Sequence, residues 1–291
     1  MYVLTIILSM QCRTMATLKD IAVRLKSVKN IQKITASMKM VSAAKYNKAE
    51  RELRPARSYG HGAKAFYERV EVAKTPNELP NKLYLAITSD RGLCGAANSS
   101  IAKAIRDEIN HNKGNIDNIR IAIVGDKARG ILARLFPKNI LWHFSDIGKK
   151  PATFADASLM AEAIISMDFE FNQAHMYYNT FKSVVSYLTT EQSLFSLNAI
   201  TNSEKINLYD SIDDDVIKSY NEYTLTSLIY FALKECQCSE QSARMTAMDA
   251  ASKNAGEMIN KLTLTYNRTR QAAITKELTE IVSGAAAVKN T

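Results

Sequence analysis

Two glycine-containing loops are the places in this sequence where phosphate chemistry could occur. Residues 90–95 (DRGLCG) follow a predicted strand and open a predicted helix, which is where a phosphate-cradling loop lies in nucleotide-binding folds. The spacing of the glycines is G-x-x-G rather than G-x-G-x-x-G, and the second loop, residues 125–130, continues with Ile131 instead of the Lys and hydroxyl residue of a P-loop. We interpret both loops as tight turns, with nucleotide binding as the alternative.

The other residue types that carry chemistry form no constellation. Cys236 and Cys238 are two positions apart on a predicted helix, so they point to different faces, and no His is close in sequence to complete a metal site. The four histidines are scattered, and no Ser–His–Asp or Cys–His arrangement can be named. We therefore expect no catalytic residue, no cofactor and no metal site.

The composition excludes several classes of protein. The chain has 291 residues, of which 46% are hydrophobic and 23% charged, so it is long enough for a sizeable core and is neither disordered nor fibrous. No apolar run reaches the roughly 18–20 residues that span a membrane. Four cysteines at irregular spacing do not form a secreted disulfide framework, which favours a reducing compartment.

Both ends of the chain predict very long helices. Residues 17–72 meet no proline or glycine before Pro55, and residues 213–288 contain no proline. Helices of this length cannot bury their apolar stripes against a small core, so each needs a partner of similar length. We predict an antiparallel coiled coil of the two ends. The stripe of the first helix steps by three or four residues through Leu18, Ile21, Leu25, Val28, Ile31, Ile34, Met38 and Val41.

The middle of the chain predicts a different architecture. Residues 83–88 and 119–124 are typical of buried strands, residues 101–110 and 155–167 of helices, and residues 176–188 of further strands. Strand–helix–strand order predicts a small α/β domain with a largely parallel sheet between the two long helices.

Positive charge is concentrated on the first helix. Residues 16–48 carry eight basic residues against one acid, a surplus of seven, whereas residues 213–291 carry nine basic residues against ten acids. A basic helix suits nucleic acid, an anionic membrane or an acidic protein surface, or is simply a solvated face. Tyr46 is the single aromatic residue in residues 16–48, so the stacking platform of a nucleic-acid binder is missing.

The first fifteen residues leave two interpretations open. They contain Arg13 and no acid, and the only charge follows the apolar stretch, unlike a secretory signal. They are either a candidate organelle-targeting presequence or the product of a start codon that precedes the true start at Met15.

Three separated motifs, in order, closely resemble the gamma subunit of F-type ATP synthase. They are residues 20–41 (DIAVRLKSVKN followed by KITASMKMV), residues 89–96 (SDRGLCGA) and residues 268–287 (RTRQAAITKELTEIVSGAAA). The resemblance covers about residues 16–288, and residues 49–56 and 239–248 look like the animal mitochondrial branch of the family. The regulatory cysteine insertion of the chloroplast branch is absent, which argues against a thiol switch.

The resemblance implies an α/β fold in which a long antiparallel coiled coil joins a Rossmann-like domain. The implied domains are a candidate mitochondrial presequence (1–15), an N-terminal coiled-coil helix (16–74), a Rossmann-like domain (81–207) and a C-terminal coiled-coil helix (213–288). The implied role is that of a non-catalytic central-stalk rotor, which transmits torque from proton flow to the catalytic beta subunits.

The resemblance also implies partners and contact residues. The partners are the alpha and beta subunits of the catalytic head, the delta and epsilon stalk subunits and the membrane c-ring, with no nucleic acid. The location is the matrix side of the mitochondrial inner membrane, peripheral and not spanning it. The implied rotor–stator contacts are Lys33, Met38, Lys39, Val41, Arg244, Arg270, Gln271, Thr275, Glu277 and Glu280, and the small apolar residues 281–288 are expected to form a bearing tip.

Overall fold

The structure, a computed structural model, describes residues 17–72, 81–111, 116–147, 150–171, 173–203, 205–206, 209 and 213–289. Six α-helices and five strands are assigned within these ranges. In chain order they are α1 (Leu18–Val70), β1 (Lys82–Ile87), α2 (Ala97–His111), β2 (Ile119–Val124), α3 (Asp126–Leu135), β3 (Ile140–Phe144), α4 (Phe154–Ile165), β4 (Gln173–Phe181), β5 (Tyr187–Phe195), α5 (Leu197–Thr201) and α6 (Asp214–Lys289). The candidate presequence, residues 1–15, lies outside the described residues.

The described residues fall into two compact units. One contains those up to Met38 and from Met248 onward, and the other contains Lys39–Ala247. The predicted long helices are confirmed: α1 has 53 residues and continues through Pro55, and α6 has 76. Each of these helices contributes one end to each unit.

In the first unit the helices pair along a seven-residue repeat. Ile21, Val28 and Thr35 are the buried positions of α1, and Met248 and Ala255 are those of α6, each spaced by seven. A seven-residue spacing is the signature of a coiled-coil seam. Within this seam Gln32 lies against Gly256, where an added Cβ would come 3.1 Å from the amide nitrogen of Gln32.

The predicted apolar stripe of α1 is wrong in its second half. Ile31, Ile34 and Val41 are all more than half exposed, while the hydroxyl residues Thr35 and Ser42 are buried in their place. The seam follows a strict seven-residue register, and small side chains keep it because they let two backbones approach. Thr35 can be buried because its hydroxyl donates to the carbonyl oxygen of Ile31 at 3.0 Å.

In the second unit α1 is also buried at a seven-residue spacing, and the helices run antiparallel. Its buried positions on α1 form two series spaced by seven, one of Ser42, Ala49, Ala56, Ala63 and Val70 and the other of Tyr46, Leu53, Gly60 and Tyr67.

Contacts between the two helices establish their direction. Arg57 of α1 bonds Glu235 of α6, whereas Phe66, further along α1, packs on Tyr220 of α6. Gly60, between these two contacts, lies against Phe231. The antiparallel coiled coil is therefore confirmed within this unit.

The second unit also contains a five-stranded sheet in the order β3-β2-β1-β4-β5. β1 pairs in parallel with β2 and β4, β2 pairs in parallel with β3, and β5 adds an antiparallel edge. Its apolar core includes the fully buried side chains of Leu83, Leu85, Ile121 and Ile123. The predicted α/β domain with a largely parallel sheet is confirmed.

Three elements differ from the sequence prediction. Helix α3 was not predicted, and all residues of the second glycine loop except Gly125 lie inside it. The edge strand β3 was not predicted either, since all five of its side chains are exposed or half-buried. The predicted strand region 176–188 is two strands, β4 and β5, with the turn at 182–186 inside it. Among the described residues, no helix has a stretch long and apolar enough to cross a membrane.

Candidate functional site

The crevice that would hold a nucleotide lies at the carboxyl ends of β1 and β4. The sheet order changes direction between these strands, and open α/β sheets bind ligands at such a point. Here α6 fills it. The thiol of Cys236 donates to the carbonyl oxygen of Ile87 at 3.2 Å, and the hydroxyl of Ser239 donates to the carbonyl oxygen of Asn179 at 3.0 Å.

Little space is left beside these contacts. A cavity of about 20 Å³ persists between Ile87, Ser89, Cys236 and Glu240. Small-molecule sites usually enclose about 300–1,000 Å³. The crevice of this sheet is therefore a packing interface for α6, and it offers no room for a nucleotide.

The two glycine loops press against each other instead of opening toward a ligand. Gly125 adopts φ +95°, and a Cβ there would lie 2.8 Å from the backbone of Ser89. The carboxylate of Asp90 accepts a 3.1 Å hydrogen bond from the backbone N–H of Asp126, at the start of α3. The chain's own carboxylate thus takes the position where a helix N-terminus would bind phosphate. The interpretation as tight turns is confirmed for the first loop and for Gly125, whereas residues 126–130 are the first turns of α3.

A buried ion pair holds α6 against the first of these loops. The guanidinium of Arg244 bonds the carboxylate of Glu240 and donates to the carbonyl oxygen of Gly92 at 3.3 Å. Both side chains are less than a tenth exposed. Burial raises the pKa of the Glu240 carboxyl above its usual range, and the neighbouring Arg244 cation opposes that rise.

The far end of α6 is entirely exposed. From Arg270 to Ala286 every described residue faces solvent. The apolar side chains in this stretch include Ile281 and Val282, which are 63% and 65% exposed. A large apolar surface left open on a long helix marks a contact site for another protein.

The sequence-predicted contact residues lie in three settings. Arg270, Gln271, Thr275, Glu277 and Glu280 all lie on the exposed end of α6. The hydroxyl of Thr275 donates to the carbonyl oxygen of Gln271 at 2.9 Å, so it is satisfied within its own helix.

On α1, Lys33, Lys39 and Val41 are exposed, whereas Met38 is half-buried. Arg244 differs from all of these because it is buried in the second unit. The eight basic residues within residues 16–48 are all exposed.

Sequence reasoning missed a second buried charge cluster, in which Glu235 bonds Arg57 and the main chain of Phe181. These residues are separated by up to 178 positions, and only the register of α1 against α6 brings them together. The Glu240–Arg244 pair could have been found, since an acid and a base four apart on a helix share a face.

A pair of long helices, one of which fills the ligand crevice of an α/β sheet, is the architecture of a subunit with a structural role. The family model described as ATP synthase matches residues 17–288. The chain belongs to the family of mitochondrial ATP synthase gamma subunits.

Individual relatives support this assignment. The mitochondrial ATP synthase gamma subunit of Drosophila melanogaster is 55% identical over 281 residues, covering 97% of this chain and 94% of the relative. The corresponding subunit of the F(1) complex of Rattus norvegicus is 53% identical, covering 94% of this chain and all of the relative. A chain from the solved central stalk and c-ring of the Tetrahymena thermophila mitochondrial ATP synthase is 27% identical with a TM-score of 0.65, covering 75% of this chain and 99% of that one.

Proposed function

We propose that this chain is the central-stalk rotor of a mitochondrial proton-translocating ATP synthase. In this role the helix pair stands in the bore of a ring of three alpha and three beta subunits. It passes torque from proton flow through the membrane c-ring to the catalytic beta subunits, which make ATP. The chain itself carries no reaction step.

The observation that carries the proposal is the exposed apolar end of α6. Ile274, Leu278, Ile281 and Val282 are each 45% exposed or more, and they lie beyond Ala255, the last buried residue of α6 among those described. Exposing this much apolar side chain costs free energy in water, and a surrounding protein sleeve removes that cost. Short apolar side chains also suit a bearing, because they form no specific bonds that rotation must break.

The mechanism follows from symmetry. Three identical catalytic sites can be held in different states only by an element that lacks threefold symmetry. A pair of helices lacks it, so each orientation of the pair contacts the three beta subunits differently. Rotation then changes which site each contact favours, by differential binding to the open, loose and tight conformations.

Polar contacts would set the preferred orientations. Arg270 and Gln271 are exposed and available to acidic loops of the beta subunits, with Thr275, Glu277 and Glu280 on the same stretch of helix. On α1, Lys33, Met38, Lys39 and Val41 would face the acidic lever loop of beta. Charge steering by the basic surface of the first helix would favour these acidic partners.

Arg244 would affect coupling indirectly, through the residues that it contacts inside the second unit. Since it is buried against Glu240 and Gly92, its contribution to coupling would pass through the loop at residues 90–95. The loop tip, Leu93, is exposed and adopts φ +65°.

The remaining partners are proposed from the family. The sheet-containing unit would join the delta and epsilon stalk subunits and the c-ring. The relatives are named as mitochondrial, and the related Tetrahymena structure is that of a central stalk and c-ring. The chain would therefore lie on the matrix side of the inner membrane, as a peripheral subunit.

The test is a double substitution at the exposed end of α6. We expect Arg270→Ala with Gln271→Ala to leave assembly with the alpha–beta ring largely intact while lowering ATP-driven proton pumping per ATP hydrolysed. The matched control is Asn260→Ala with Lys261→Ala, which removes an exposed amide and cation from the same helix. Failure of the unaltered chain to join an alpha–beta ring would refute the rotor function.

A further inference from the structure

Glu235 lies where both long helices meet the end of a central strand. Its side chain is 1% exposed, and one carboxylate oxygen accepts a 2.8 Å hydrogen bond from Nε of Arg57 on α1. The other oxygen accepts a 2.8 Å hydrogen bond from the backbone N–H of Phe181, the last residue of β4. Nη2 of Arg57 donates to the carbonyl oxygen of Phe181 at 3.2 Å. We call Arg57, Phe181 and Glu235 the three-way clamp.

The clamp lies at the end of β4, beyond the last residue of β4 that pairs with β1. The pairing of β1 with β4 ends at Ala86 and Tyr177, so β1 no longer flanks Phe181. Main-chain groups left unpaired in a protein interior must find other partners. Here Glu235 satisfies the N–H of Phe181 and Arg57 satisfies its C=O, which ties α6 and α1 to one peptide segment of the sheet.

The geometry of the clamp resists separation in more than one direction. If the sheet slides along the helices, Phe181 loses its hydrogen bonds to Glu235 and Arg57, and if the helices slide past each other, Glu235 loses Arg57. Each movement leaves the buried carboxylate without one of its two donors, and an incompletely paired buried charge is costly. The planar guanidinium of Arg57 bonds two acceptors at once, which a single lysine nitrogen holds less rigidly. The ring of Phe181 also packs on Tyr46 of α1, with centroids 5.7 Å apart.

We propose that Glu235 is a positioning residue for rotary coupling: through Arg57 and Phe181 it passes torque from the sheet to both helices of the stalk. The inference rests on the proposed rotor function and deepens it. Torque that enters through the sheet must reach the helices, and the clamp joins the sheet to both of them at a buried, charged contact. The role is mechanical, since no atom of the clamp touches a substrate.

The neighbouring ion pair supplies a matched control. Nζ of Lys234 lies 2.7 Å from the carboxylate of Glu52, so this pair joins α6 to α1 through side chains alone, and within the described part of the chain it has no hydrogen bond to the sheet. Glu52→Gln therefore weakens the helix pair by a change of the same chemical kind as Glu235→Gln. Any effect on helix pairing is common to the two variants, whereas an effect on torque transfer from the sheet belongs to Glu235→Gln.

The experiment uses the complete ATP synthase in membrane vesicles, with the chain carrying Glu235→Gln or Glu52→Gln. ATP hydrolysis and ATP-driven proton pumping are measured on equal amounts of assembled complex. For Glu235→Gln we expect the ratio of pumping to hydrolysis to fall about twofold or more, because residues along a coupling route modulate it by such factors. For Glu52→Gln we expect the unaltered ratio.

Two outcomes overturn the proposal: an unaltered ratio for Glu235→Gln, or an equal fall for Glu52→Gln. If the Glu235→Gln chain does not assemble, Arg57→Lys decides, because it keeps the charge and loses one of two hydrogen bonds. An Arg57→Lys complex with a reduced ratio supports the clamp, and one with an unaltered ratio overturns it. Failure of the rotor function itself would appear separately, as an unaltered chain that does not assemble or does not couple.

Discussion

Gly60 of α1 lies directly against the ring of Phe231 on α6. A Cβ at position 60 would come 2.4 Å from Cγ of that ring. The ring is held from other sides, since Tyr178 packs on it edge-on at 5.8 Å and Nζ of Lys64 lies 5.0 Å from its centroid. The close approach of the two helices therefore depends on the missing side chain of one residue.

We expect Gly60→Ala to destabilise the chain. The added methyl group cannot fit without moving a buried ring, and overpacking of this kind costs about 1–3 kcal/mol, against about 1 kcal/mol gained from the better helix propensity of alanine. The free energy of unfolding, measured by urea denaturation, gives the result.

Gly62→Ala is the control for this prediction. Gly62 lies two positions along the same helix, and a Cβ there meets nothing within 4 Å. We expect this variant to be about 0.5–1 kcal/mol more stable than the unaltered chain, because only the helix propensity changes. Equal effects of the two substitutions would show that the helices do not approach closely at Gly60.

The Glu240 carboxyl predicts a specific pH dependence of stability. Burial raises its pKa above the ordinary value of 4.5, so the folded chain binds this proton more tightly than the unfolded chain does. Its contribution to stability is present below pH 4.5 and is lost as the pH rises through the folded-state pKa. We expect the free energy of unfolding, relative to that of Glu240→Gln, to fall as the pH rises above 4.5.

The comparison with Glu240→Gln isolates this carboxyl, because other groups titrate alike in both chains. Arg244→Gln provides a second test of the pH dependence that the Glu240 carboxyl causes. Since the Arg244 cation opposes the pKa rise, removing it should raise the pKa further and make the loss of stability with pH larger. A difference that stays constant between pH 4 and pH 8 would contradict a buried carboxyl at this position.

The filled crevice predicts unreactive thiols. Cys94, Cys236 and Cys238 are all buried, and burial raises the pKa of each, that of Cys238 to about 12. The thiolate is the reactive form, so at pH 8 labelling by a maleimide should be at least about a hundredfold slower in the folded chain than in denaturant.

A Cys12→Ser chain makes the labelling experiment specific, because it removes the cysteine that lies outside the described residues. Mass spectrometry then assigns each labelled position. Rapid labelling of Cys236 under native conditions would mean that α6 does not stay packed in the crevice of the sheet.

Much of the fold could be predicted from local sequence. Strand β2 was predicted at its observed bounds and β1 within one residue, because continuous runs of buried apolar residues have few alternatives. The register of α1 could not be predicted in the same way. Its apolar side chains and its buried positions diverge after Val28, and the contact with α6 selects Thr35 over Ile34.

The candidate site, too, could be predicted only in part from the sequence. The family's motifs place Arg270 and Gln271 in the sequence, and the structure finds them on the exposed end of α6. No local sequence pattern predicts the three-way clamp, because Arg57 and Glu235 come together only when α1, α6 and the sheet pack against one another. Long-range contacts of this kind are determined by packing and leave no local signature.

As a rotor, this chain turns inside a ring of alpha and beta subunits. The direct measurement is rotation of single complexes in which alpha–beta rings are fixed to a surface and a gold particle is attached to the exposed position 103 of α2 through Lys103→Cys. On addition of ATP we predict stepwise rotation of the particle in one direction. A ring that contains the chain and hydrolyses ATP while the particle stays still would refute rotation of this subunit.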